Sequence, residues 1–263
     1  MFNKLTAPSI GLSEAINLIE TNTDRKYQYV KKFLEKDTQT ICLEYEKDYP
    51  NSYYKAKKIK KLDDINGLTK KDAVKIYENR FTPSGLRAHF YDQLKSLCPV
   101  CGAQLASQLD HVLPKSQFPQ YVVTPLNLVP LCASCNKSKG DVIGFNAYYQ
   151  SESDLEGLVF SFNFTDPTNF IFLTINNNPD LECFMKIYDI KNLLTIKAAQ
   201  KIKTLLRIFD MSNRTSIDEF KKLLEKEKDD FSTIPRWQII LFTNLLSTDG
   251  KPEELFNNRS VFS

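Results

Sequence analysis

The stretch NLVPLCASCNKSKG, Asn127 to Gly140, sets two cysteines, an asparagine and two lysines behind a short apolar run that a second asparagine opens. Its Cys132-x-x-Cys135 pair has a counterpart upstream in CPVC, Cys98 and Cys101, with 30 residues between the pairs. Two residues between cysteines let both sulfurs of a knuckle point at one ion, and two knuckles supply the four thiolates that tetrahedral Zn²⁺ prefers. Four free thiols in a core would need no such paired spacing. A ligand set made only of cysteine leaves no open coordination position, so this zinc is expected to staple the fold rather than do chemistry. The remaining cysteines, Cys42 and Cys183, suit apolar packing.

Working outward, the segment between the knuckles contains LDHVLPKSQFPQ, Leu109 to Gln120, and with it one of the chain's two histidines. A neutral imidazole with an ordinary pKa near 6.5 can accept a proton at physiological pH, which typically contributes about 10²–10⁴-fold to a rate. His111 is the candidate general base. Asp110 before it offers hard carboxylate oxygen suited to Mg²⁺ or Mn²⁺. Adjacent strand residues point to opposite faces, so a bend or bulge at the strand end is expected if both serve one site. Lys115 and Lys139 are candidates for phosphate contact, although simple surface solvation accounts for either equally well. Gly140 is expected to end the short helix that begins after Cys132, where a positive φ costs glycine least. The other histidine, His89, has no metal-ligand spacing around it and reads as a packing or surface residue.

Taken together, LDHVLPKS, NLVPLC and CNKSKG resemble the HNH endonucleases over about 50 residues, Cys98 to roughly Val142. The resemblance implies a ββα-metal module, two short strands and a helix around one divalent cation. It implies that Asn127 ties down the long loop and orients His111. It also implies that Asn136, where the family often has histidine, holds the cation together with Asp110. The longer wording from Leu109 to Gly140 is similar to stand-alone HNH proteins of prokaryotic anti-phage systems, the Septu-type and retron-linked nucleases that work beside an ATPase. An ATPase partner is therefore expected, with a free-standing restriction-type enzyme as the competing reading.

Over 263 residues, a hydrophobic fraction of 42% with 25% charged residues describes an ordinary globular protein. No apolar run is long enough for a membrane helix, and the first twenty residues lack the pattern of a signal peptide, so a cytoplasmic location is expected. The net charge of +3 hides a gradient: residues 1–97 carry 18 Lys/Arg against 13 Asp/Glu, residues 151–263 carry 14 against 17. The expected fold class is α+β, mainly helical, with the zinc-stapled module in the centre and a few short strands after it. Three regions are expected: a helical 1–97, the nuclease module at 98–145, and a strand-plus-helix region at 146–263 suited to docking a partner.

Within these regions, periodicity predicts helices around Tyr27–Leu34 with Asp24 as N-cap, and around Val74–Phe81 behind a Thr69/Asp72 capping box. A third is predicted from Thr82-Pro83 through Leu86, Phe90, Leu94 and Leu97. YYKAKKIKK, Tyr53 to Lys61, is a solvated helix face or a surface where lysines meet phosphates and tyrosines stack on bases. LVFSFNF and FIFLTINNN read as strands, Leu194–Phe209 as a helix, Ser216/Glu219 as a capping box, and Pro235 as the start of a last helix bearing Trp237. The leading function is metal-dependent cleavage of DNA. RNA cleavage keeps the chemistry and changes the substrate, and a non-catalytic zinc module would have no use for Asp110, His111 or Asn136.

Overall fold

The protein, seen here as a computed structural model, is described over residues 5–21, 27–80, 86–90, 93–149, 152–212, 214–229 and 234–262. Asp24, Phe81 and Thr82-Pro83 lie outside these residues. The fold is α+β and mainly helical, with three two-stranded antiparallel sheets among the described residues. Contacts divide the chain into one unit of Asn3–Val100 and Gln104–Ser151, and another of Cys101–Ala103 and Glu152–Ser263.

The first unit begins with helices α1 (Leu12–Thr21), α2 (Gln28–Phe33), α3 (Lys36–Lys47) and α4 (Tyr53–Lys57). A hairpin of β1 (Asp64–Ile65) and β2 (Leu68–Thr69) leads into α5 (Lys70–Arg80). The Thr69 hydroxyl accepts from the Asp72 amide at 3.2 Å and donates to its carboxylate at 2.9 Å, which fixes the start of α5. Leu12, Ile16, Val30, Phe33, Ile65 and Ile76 form the core of this unit, and Val122 and Val123 from the later loop complete it. Cys42 is buried in the same core, where burial pushes its thiol up to about 12.

The helix predicted through Leu86–Leu97 is instead two 3₁₀ turns, Leu86–Phe90 and Gln93–Lys95, and Leu97 pairs with Leu105 in an isolated β-bridge. That bridge opens the first knuckle and requires extended backbone, which stops a helix short of Cys98. Phe90 still reaches the core, packed with Leu109 and Leu128. His89 is exposed. Strands β3 (Gln108–His111) and β4 (Leu128–Leu131) then pair antiparallel, and α6 (Ala133–Lys139) follows directly. Gly140 closes α6 at φ 54°, a conformation a side chain would strain.

In the second unit, β5 (Leu158–Phe162) pairs with β6 (Ile171–Ile175) over all five positions, burying Leu158, Phe160, Phe162, Ile171 and Leu173 on one face. Helices α7 (Pro179–Tyr188), α8 (Lys191–Met211), α9 (Ile217–Asp229) and α10 (Arg236–Ser247) follow. Leu194, Ala198, Ile202, Leu205 and Phe209 of α8 are all buried, as their spacing predicts. Ser216 and Glu219 exchange backbone and side-chain hydrogen bonds at the start of α9. Helix α10 carries buried Trp237 but is not the last; α11 (Lys251–Asn257) and α12 (Arg259–Phe262) come after it. These two are short and bury little beyond Leu255 and Phe262, so their apolar pattern is too sparse to read in advance. Cys183, on α7, is only partly buried.

Candidate active site

The four cysteines of the paired motifs come together. Their sulfurs all lie within 4.8 Å of one another and all four residues are buried. The first knuckle sits in the turn closed by the Leu97–Leu105 bridge, with the Cys98 amide donating to the Gln104 carbonyl at 2.7 Å. The second sits at the head of α6: Cys132 is the N-cap, and its sulfur accepts from the Cys135 amide at 3.4 Å. An amide aimed at sulfur favours the thiolate, the form that binds metal. Four convergent buried sulfurs are a donor set that suits one tetrahedral Zn²⁺.

The β3–β4 hairpin is held between these knuckles. Its register runs unbroken from Gln108 opposite Leu131 to His111 opposite Leu128. No bulge interrupts this pairing, and the bend comes just after it, at Val112 and Leu113; regular pairing sends Gln108 and Asp110 to one face and Leu109 and His111 to the other.

On the first face, α6 meets β3 through two residues one helical turn apart. Asn136 donates its amide to Gln108 Oε1 at 2.6 Å, and Lys139 Nζ lies 2.9 Å from Asp110 Oδ2. Lys139 is buried, so the surface-solvation reading of that residue is set aside. Burial pushes the Asp110 carboxyl above its usual range, while the Lys139 ammonium pulls the other way. The carboxylate and the Asn136 amide belong to adjacent pairs across one strand–helix contact. Both residues expected to share a cation are thus on the α6 side of the hairpin, each already paired with a neighbour, Asp110 with Lys139 and Asn136 with Gln108.

On the other face, His111 is 4% exposed. Its Nε2 lies 2.8 Å from the Val122 carbonyl. A carbonyl only accepts, so Nε2 carries the hydrogen and Nδ1 keeps the lone pair. The ring of Tyr77, on α5, meets the imidazole edge-on at a centroid distance of 4.4 Å, and the Tyr77 hydroxyl donates to the Leu109 carbonyl at 3.1 Å. Burial pushes the imidazole down to about 3, so it is neutral throughout the physiological range. The positive charges of Lys115 and Lys139 also act to lower the Asp110 carboxyl and the His111 imidazole. Lys115 is itself held by Glu78 of α5 at 2.9 Å, with its ammonium 5.0 Å from the Tyr77 ring centre.

The loop between β3 and β4 is tied at its neck by Asn127, which is fully buried. Asn127 Oδ1 accepts from the Leu113 amide at 2.8 Å and from the Tyr49 hydroxyl at 2.9 Å, and Nδ2 donates to the Leu113 and Tyr121 carbonyls at 3.1 Å each. All four capacities of the amide are used, so the side chain clamps the backbone two residues after His111. The far side of the loop is held by the helical core through Val122 and Val123. The same Val122 presents the carbonyl that orients His111, so the N-terminal helices aim the imidazole from outside the module. Tyr49, Tyr77, Gln108 and Val122 carry no motif of their own. Only Gln108, two residues before Asp110 on a strand, was open to inference from alternation.

A hairpin, a helix and a clamped loop thus sit together within a four-cysteine frame. Residues 98–142 match the family model for HNH endonucleases. Protein ea31 of Escherichia phage lambda is 35% identical over 94 residues, which cover 33% of this chain and 32% of that protein. The chain thus spans about a third of the length of that curated relative. No solved structure matches.

Proposed function

We propose that this protein is a metal-dependent endonuclease that hydrolyses phosphodiester bonds of DNA, with His111 as general base. The observation that carries this reading is the Asn127 clamp on the loop behind a neutral His111 whose Nε2 is committed to the Val122 carbonyl. With Nε2 committed in this way, Nδ1 is the ring atom left to receive a proton from water. Asp110 and Asn136 would hold a Mg²⁺ or Mn²⁺ ion, which stabilises charge on the phosphate and leaving oxygen when bound. Zn²⁺ in the cysteine frame would keep β3, β4 and α6 in register. Lys115, anchored to Glu78 at the edge of this arrangement, is assigned to phosphate contact.

The reading is tested with purified protein and supercoiled plasmid. Nicked or linear product is expected with Mg²⁺ or Mn²⁺, none with EDTA, and none from folded His111→Ala protein. Cleavage unaffected by both treatments would overturn it. The same assay on single-stranded and structured RNA separates a DNA enzyme from an RNA enzyme.

We further assign the protein to a cytoplasmic anti-phage system in which an ATPase holds or restrains the nuclease. Support comes from the likeness of Leu109–Gly140 to nucleases of that kind, and from the extent of the chain outside the 45 matched residues. Co-purification of tagged protein from its native host with an ATPase is the expected result. A monomer that cuts rapidly alone would leave the restriction-type enzyme as the better reading.

A further inference from the structure

The basic segment Tyr53–Lys61 has no role in the chemistry above, yet it is fastened to the module at several points. Tyr49, which leads into it, bonds Asn127; the Gln120 side-chain amide donates to the Lys60 carbonyl at 2.9 Å; and Tyr53 stacks on Phe145 with ring centres 4.2 Å apart and planes 9° apart. Lys61 Nζ lies 5.9 Å from the centre of the Phe118 ring. Gln120, Asn127 and Phe118 all belong to the loop or neck behind His111. The segment is therefore a fixed extension of the site's own surface rather than a separate arm.

Its chemistry is one-sided. All five lysines in nine residues are exposed, and among the described residues none of the five is part of an ion pair. Lys55 and Lys58, one turn apart, line a hollow of about 390 Å³ whose wall includes Tyr49; Asp48 is the acid in that wall. A fixed row of unpaired ammonium groups repels itself and favours a polyanion.

The aromatic residues narrow the partner further. With Phe145 flat against one face of Tyr53, the Lys57 ammonium 4.5 Å from the ring centre must occupy the other. Both faces of Tyr53 are filled, so it is not a platform for a base. The expectation that both tyrosines of this segment stack on bases does not hold for Tyr53. Tyr54 keeps about half its surface exposed, so one ring is set among five exposed ammonium groups and charge is the segment's main means of contact.

We infer that Tyr53–Lys61 is a phosphate-backbone track that docks duplex DNA beside the nuclease site without reading its sequence. The inference rests on the nuclease reading and deepens it. Each lysine that meets a phosphate releases counterions, contributing about −0.9 to the slope of log affinity against log salt.

The test uses full-length His111→Ala protein, which cannot consume the probe, and a fluorescent 30-base-pair duplex. Anisotropy titrations across a range of salt compare it with a version also carrying Lys55→Gln, Lys58→Gln and Lys60→Gln. The expected result is a slope smaller by two to three units, roughly 0.9 for each lost contact, with affinity at 100 mM salt lower by about tenfold or more. A control with Lys222→Gln, Lys226→Gln and Lys228→Gln makes the same change in net charge in α9 and should leave the slope unchanged. A slope unchanged by the first triple substitution, in protein whose His111 parent cuts plasmid, overturns the track and leaves the nuclease standing. Absence of both cutting and binding overturns the nuclease reading itself. Binding confined to an RNA duplex of the same length overturns the assignment to DNA.

Discussion

The Lys139 ammonium lies 2.9 Å from the Asp110 carboxylate, with the lysine side chain 1% and the aspartate side chain 16% exposed. A buried pair of this kind contributes little net stability compared with an apolar replacement, but removing one member strands the other. Lys139→Met should therefore destabilise the protein by about 3–5 kcal/mol, read as a lower midpoint in urea. Lys139→Met combined with Asp110→Leu should recover most of that loss. A divalent ion on Asp110 would replace the missing positive charge, so Mn²⁺ should raise the midpoint of Lys139→Met more than that of the wild type. An equal response in the two proteins would argue that the ion binds elsewhere.

Asn127 uses all four of its hydrogen-bonding capacities while fully buried. Tyr49→Phe removes the hydroxyl that donates to Asn127 and accepts, at 3.5 Å, from Asn146, and should cost about 1 kcal/mol. Asn127→Asp replaces an amide that donates to two carbonyls by a group with no donors when ionised, so its cost should be several times larger. Thermal unfolding of the two variants ranks them. A smaller loss for Asn127→Asp than for Tyr49→Phe would refute the clamp.

The convergent sulfurs of Cys98, Cys101, Cys132 and Cys135 saturate one tetrahedral ion. Purified protein should contain about one zinc per chain by elemental analysis. Cys98→Ser and Cys132→Ser should each lose the metal and most of the soluble yield, because binding free energy in such a frame is folding free energy. Folded, soluble protein free of zinc would be the contrary result.

The lowered pKa of His111 carries a sign for stability. Folding takes the imidazole from an ordinary value near 6.5 to about 3, so between these values the unfolded chain binds more protons. The stabilising share of His111 is present in full above pH 6.5 and is lost as pH falls toward 3. His111→Gln should therefore flatten the acid side of the stability curve. The difference between the two proteins should shrink by a few kcal/mol from pH 7 to pH 4, because each step of one pH between the two values is worth about 1.4 kcal/mol. Urea titrations at stepped pH measure it, and comparing variant with wild type cancels the acid lability of the thiolates. Parallel curves would mean that the imidazole is not buried.

Some of this molecule is written in short-range patterns. The two Cys-x-x-Cys pairs, the Thr69/Asp72 and Ser216/Glu219 capping boxes, the alternation in β5 and β6, and the 3.6-residue stripe of α8 are each complete within a few residues or one element. Their physics is local: ligand reach, capping geometry, or the period of a backbone. Tertiary structure decided what depends on distant partners. Tyr49 meets Asn127 across 78 positions and Tyr77 meets Leu109 across 32, and neither tyrosine differs in the sequence from any other tyrosine beside an apolar face. The same holds for Lys139, which reads as one more surface lysine until α6 packs on β3 and closes it over Asp110. Pairing with β4 likewise keeps Asp110 and His111 in regular register and leaves the bend to Val112 and Leu113 beyond them. Side-chain pairing across a fold is set by how loops close and cores pack, and those constraints leave no periodic trace along the chain.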